Sequence, residues 1–94
     1  MKKLLAWLLA PALLLPAAGF AAVLQNTDSQ SYDLQITETG RPYANRYTIV
    51  ENAQVDICFS GCEMTLVSTG QTVRVGPNDT VVIDSGVMSV TAGN

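Results

Sequence analysis

From Tyr32 to Val90 the chain alternates between apolar and polar residues. Tyr32, Leu34 and Ile36 are separated by Asp33 and Gln35, and Tyr47 and Ile49 by Thr48. Val55, Ile57 and Phe59 alternate with Asp56 and Cys58, Cys62, Met64 and Leu66 with Glu63 and Thr65, and Val73 and Val75 flank Arg74. Successive side chains of a strand point to opposite faces, so each run predicts a strand with one face toward a core. Val81-Val82-Ile83 is apolar on both faces and is expected to be the most buried strand; Val87 to Val90 forms the last. Between the runs lie Thr39-Gly40-Arg41-Pro42, Glu51-Asn52-Ala53, Ser68-Thr69-Gly70, Gly76-Pro77-Asn78-Asp79 and Asp84-Ser85-Gly86. Glycine reaches positive φ without a steric penalty, proline presets φ, and Asn and Asp bond to the backbone two residues on, so these clusters are turns. The expected fold class is all-β: a small antiparallel β-sandwich or barrel of seven to eight short strands.

The first 21 residues follow a different pattern. Met1-Lys2-Lys3 is positively charged, Leu4 to Leu15 is apolar except for Pro11, and Pro16 precedes the small residues Ala17-Ala18-Gly19-Phe20-Ala21. This order is that of a secretory signal peptide, with Gly19 and Ala21 in the two small-residue positions before a cut after Ala21. The alternative, an uncleaved membrane anchor, fits less well, because a span needs about 20 apolar residues and this stretch is shorter and holds two prolines. No cysteine follows the cut to carry a lipid. The domains are thus a signal peptide at 1–21 and a single small β domain at 22–94, with the mature protein periplasmic or secreted and not stably inserted in a membrane.

Composition removes much chemistry. The chain has no histidine, and its only lysines are Lys2 and Lys3. Beyond the signal there can be no Schiff base, no Ser-His or Cys-His dyad and no histidine metal ligand. The net charge is −3, and eight acids face three arginines once the two lysines are removed. Such an acidic domain lacks the basic footprint of a nucleic-acid binder. The acids do not cluster at the alternate loop positions that calcium requires, and a domain this small rarely encloses a substrate pocket. We therefore expect no enzyme and no cofactor.

The cysteines are spaced C-x3-C, unlike the C-x2-C of thioredoxin-like proteins or zinc ribbons. With Phe59-Ser60-Gly61 as a three-residue hairpin loop and Gly61 left-handed, Cys58 and Cys62 face each other at a distance suited to a disulfide, and an oxidising compartment forms it. Two other uses compete. Cys58, Cys62, Met64 and Met88 together offer thiolate and thioether ligands, a soft set that selects Cu(I). A redox-responsive pair is the other, although Asp56 and Glu63 disfavour a thiolate. Ile57-Cys58-Phe59-Ser60-Gly61-Cys62 resembles the central Ile-Cys-x-x-Gly-Cys segment of short exported bacterial proteins of unknown function, which share the signal peptide and small β domain. The match covers these six residues and the general layout, and implies no activity.

One further stretch has the composition of a binding surface. Gly40 to Tyr47 holds two of the three arginines and two of the three tyrosines, and Arg41, Tyr43, Arg46 and Tyr47 are the interface candidates. Arg and Tyr dominate interface hot spots because each combines contact area with directed hydrogen bonds. The plainer reading is a surface connection whose arginines pair with nearby acids. The hairpin rhythm of Gly70–Val73 and Pro77–Val81 is similar to that of jelly-roll and cupin domains, but cupin metal sites rest on histidines, so the likeness is of fold alone. The expectation is a non-enzymatic exported β domain that binds another protein, or serves as an accessory envelope subunit.

Overall fold

The computed structural model describes residues 21–93, so the signal segment, Ala21 apart, lies outside the described residues. Eight strands form: β1 (Ala22–Asn26), β2 (Tyr32–Glu38), β3 (Asn45–Ile49), β4 (Gln54–Ile57), β5 (Cys62–Leu66), β6 (Thr72–Val75), β7 (Thr80–Asp84) and β8 (Val87–Thr91). They build two four-stranded sheets, one in the order β4-β1-β7-β8 and the other β3-β2-β5-β6. The all-β class is therefore as expected, and the strand number is eight. The alternation does what its period implies: Tyr32, Leu34, Ile36, Ile49, Cys62, Met64, Leu66 and Val75 of one sheet are buried against Ala22, Leu24, Val81, Ile83 and Met88 of the other.

β1 carries no strand signal of its own in the sequence pattern, yet it organises one sheet. It pairs antiparallel with β4 and parallel with β7, placing Leu24 between Val55 and Val81. The remaining pairings are antiparallel. Val82 of β7 is only half-buried, so that strand has one solvent-reaching face after all. Its polar partner strand β8 explains this, since Val82 lies opposite Ser89.

Strand directions define two ends of the sandwich. Ala22, Ile57, Thr80 and Thr91 lie at one end of the first sheet. The short connections Cys58–Gly61 and Gly76–Asp79 bring Cys62 and Val75 of the second sheet to the same end. The β2–β3 loop is there too, since Glu38 lies opposite Cys62.

The opposite end is held by two side chains. Asn26 is fully buried; its Nδ2 donates to the carbonyls of Gln30 and Val50, and its Oδ1 accepts from the Asp28 amide. The Asp28 carboxylate accepts from the Tyr32 hydroxyl at 2.7 Å and from the amides of Ser85 and Gly86 at 2.8 and 2.9 Å. Ser85 and Gly86 both take positive φ (55° and 76°), the geometry of a two-residue hairpin turn that matches strand twist. Asp28 thus caps the β7–β8 hairpin from the other side of the fold. The Tyr32 hydroxyl, followed by the two amides, holds its carboxyl below the ordinary range. The Asp28 carboxylate in turn pushes the Tyr32 phenol up.

The signs fix a pH profile. Asp28, lowered in the folded state, adds stability that is complete above the unfolded pKa of about 4 and is lost as pH falls through the lower folded value. Tyr32, raised, adds stability that is complete below about 10 and is lost as pH rises through its folded value. Urea midpoints against pH are expected to fall on both sides of this window, and Tyr32→Phe to flatten the alkaline limb. An alkaline limb unaltered in that variant would assign it to another group.

One lateral side of the sandwich is also closed. Gln71 donates from Nε2 to the Met88 carbonyl at 2.8 Å and accepts the Met88 amide on Oε1 at 2.7 Å. Its side-chain amide takes the place of a strand residue beside β8, joining the edges of the two sheets.

Candidate functional site at the disulfide end

Cys58 and Cys62 form a disulfide with their Cα atoms 5.5 Å apart. It does not close a hairpin, contrary to the sequence expectation. β4 pairs with β1 and β5 with β2 and β6, so the bridge spans a corner at which the chain passes from one sheet to the other. Gly61 is left-handed as anticipated, with φ +88°. A Cβ there would lie 3.1 Å from the Val75 carbonyl oxygen, so the packing of the corner also requires glycine. Phe59 departs from the expected alternation. Cys58 takes a φ of +58°, which ends β4 and turns its side chain into the core, leaving Phe59 outside. Cys58 is 1% exposed and Phe59 65%.

The corner is tied to the Arg/Tyr loop. The Gly61 amide donates to the Cys58 carbonyl, closing the turn, and the Gly61 carbonyl accepts the Thr39 amide at 3.1 Å. Between them lie two adjoining open clefts. The larger, about 660 Å³, is lined by Arg41, Glu38, Glu63, Arg74 and Asp79 together with the Ser60–Cys62 segment. The smaller, about 390 Å³, has Arg41 and Asn45 on one wall and Phe59 and Ser60 on the other. The charges are mixed, and hydroxyl groups from Thr37, Thr39 and Ser60 add to them. Asp79 is already committed, since it accepts from the amides of Gly76 and Gly93.

No protein family, characterised protein or solved structure matches this chain. What the site can do must come from its own groups.

The four interface candidates divide. Arg41 and Tyr43 are exposed in the loop, Tyr43 at 59%. Arg46 and Tyr47 belong to β3, which alternates: Arg46 points outward and lies 3.8 Å from Asp33, and Tyr47 packs against the core. The disulfide end therefore gathers Arg41, Tyr43 and Phe59, and sequence reasoning missed Phe59 by assigning it to a strand interior. Its only signal was the adjacent Ser60-Gly61, a turn pair that ends a strand early.

The other readings of the cysteines fare differently. In the bonded pair neither sulfur has a thiolate to offer Cu(I), and Met64 and Met88 are buried core side chains on opposite sheets. Among the described residues no three Cys, Asp or Glu side chains gather as metal ligands do. A buried disulfide is consistent with folding outside the reducing cytoplasm.

The ring closed by Cys58–Cys62 is small, so its effect on the entropy of the unfolded chain is modest. Replacing both cysteines by alanine is expected to cost about 2 kcal/mol in urea unfolding. Hydrogen exchange should quicken at Thr39 and Gly61, whose mutual bonds depend on the corner. Unchanged exchange at both amides would mean that the backbone bonds hold the corner without the bridge.

Proposed function

We propose that this chain is an exported, non-enzymatic β domain that binds another protein through the disulfide end of its sandwich, with Arg41, Tyr43 and Phe59 as contacts. In this reading residues 1–21 direct export, cleavage follows Ala21, and the mature domain works in the periplasm or outside the cell without a cofactor. The observation that carries it is Phe59. A large aromatic ring, 65% exposed, is held out on a turn fixed by a buried disulfide, across a cleft from Arg41. Exposing such a ring has no folding benefit, because its apolar area stays in water. For binding it is favourable, since a turn that is already ordered loses little freedom on association. Arg41 and Tyr43 beside it are the residue types that anchor interfaces.

The double substitution Phe59→Ser and Arg41→Ser tests it. Both residues are exposed, so the urea midpoint is expected to stay unchanged within about 0.5 kcal/mol. In native gels of envelope extracts, the variant should migrate as the free domain where the natural chain migrates in a larger assembly. An assembly of unaltered size would contradict the assignment of this face.

A further inference from the structure

The two lateral sides of the sandwich differ. On one, β6 and β8 are bridged by Gln71. On the other, β3 has a single strand neighbour, β2, and among the described residues no backbone group of Asn45–Ile49 bonds to anything beyond it. β3 also lacks the usual protections of an edge. Its sequence, Asn45-Arg46-Tyr47-Thr48-Ile49, has no proline, glycine or lysine, and its register with β2 runs unbroken over all five residues. β4 at the same side is shorter and carries Asp56 on its exposed face.

We propose that a second copy of this chain pairs along β3, antiparallel and two-fold symmetric about Tyr47, merging the two β3-containing sheets into one continuous sheet. Three features favour a second copy over an unrelated strand. First, the register about Tyr47 pairs all five residues and sets Arg46 opposite Thr48 of the second copy, while a shift centring the pair on Arg46 would oppose two arginines. Second, a two-fold axis normal to the sheet keeps core faces on the same side, so Tyr47 meets Tyr47 of the second copy beside half-buried Val55 and Ile57. Third, the loop bearing Arg41 is carried toward the turn bearing Glu51 of the second copy, and the reverse, which matches opposite charges at both ends of the seam. The pairing makes no use of Phe59 and stands apart from the binding face at the disulfide end.

The test is the sedimentation equilibrium mass of the oxidised chain purified from the export compartment. A dimer is expected for the natural chain. Thr48→Lys should weaken it about tenfold, because the clash with Arg46 of the second copy occurs twice in a two-fold seam and like charges directly opposite resist pairing. Folding is not at risk, since Thr48 already bonds Asp33 at 2.6 Å and a lysine there gains that carboxylate as a partner. Adding Arg46→Glu to Thr48→Lys sets opposite charges across the seam and should restore the dimer. A natural chain that is monomeric at every concentration overturns the proposal, including the case in which β3 instead takes a strand from a different protein. A dimer indifferent to Thr48→Lys, or a double variant that stays monomeric while folded by circular dichroism, also overturns it.

Discussion

Asn26→Asp is expected to abolish the folded domain at neutral pH. A domain of this size is stable by about 4–11 kcal/mol at the usual per-residue value. Asn26 is 1% exposed, and its Nδ2 serves two carbonyls that belong to different loops, Gln30 and Val50. Aspartate supplies a charged oxygen where a donor is needed, so both carbonyls lose their partner and a buried carboxylate faces them. Each orphaned group costs about 1–3 kcal/mol and the unpaired charge more, for a total above about 4 kcal/mol. Asn26→Ala removes the donor without adding charge and should cost about 3 kcal/mol. Urea unfolding followed by far-ultraviolet circular dichroism separates the two. The aspartate variant should recover in part near pH 5, where protonation restores one donor. Equal stability of the two variants at pH 7 would mean that the Asn26 site is open to water.

A chain beginning at Thr27 is expected not to fold at all. β1 is the only link between β4 and β7, so without it the first sheet separates into a lone strand and the β7–β8 hairpin. Ala22 and Leu24 are fully buried, and a two-stranded hairpin does not persist alone in water. Loss of residues 92–94 removes one exposed hydrogen bond, from Gly93 to Asp79, and should leave the transition intact. A cooperative urea transition in the chain lacking β1 would show that β7 can pair with β4 directly.

These two residue sets mark the limit of what the sequence discloses. The strands from β2 to β8 were legible because period two reflects a one-sided core, and the turns because Gly, Pro, Asn and Asp have local conformational reasons to be there. β1 was hidden because Ala22-Val23-Leu24 continues the small and apolar composition of the signal and has too few alternations to stand out. Asn26 reads as a turn residue; its burial comes from Gln30 and Val50, the second of them 24 residues away. The cysteine spacing was informative about the bridge but not its setting, since C-x3-C fits a hairpin and an inter-sheet corner equally. What distinguishes them is that Ile57 pairs with Ala22 of β1, a long-range fact. At the candidate site, Arg41 and Tyr43 were legible from residue type. Phe59 was not, because the positive φ of Cys58 breaks an alternation that otherwise points the ring inward.

The central claim is that the disulfide end is the binding face, and position-dependent photocrosslinking tests it most directly. A photoreactive phenylalanine analogue placed at Phe59, at Tyr43 and at Gln35 on the outer face of β2 is activated in intact cells. The account predicts one shared adduct of defined mass from positions 59 and 43 and none from 35, with the adduct lost when Arg41 is serine. Adducts of equal yield from all three positions, or from Gln35 alone, would contradict it.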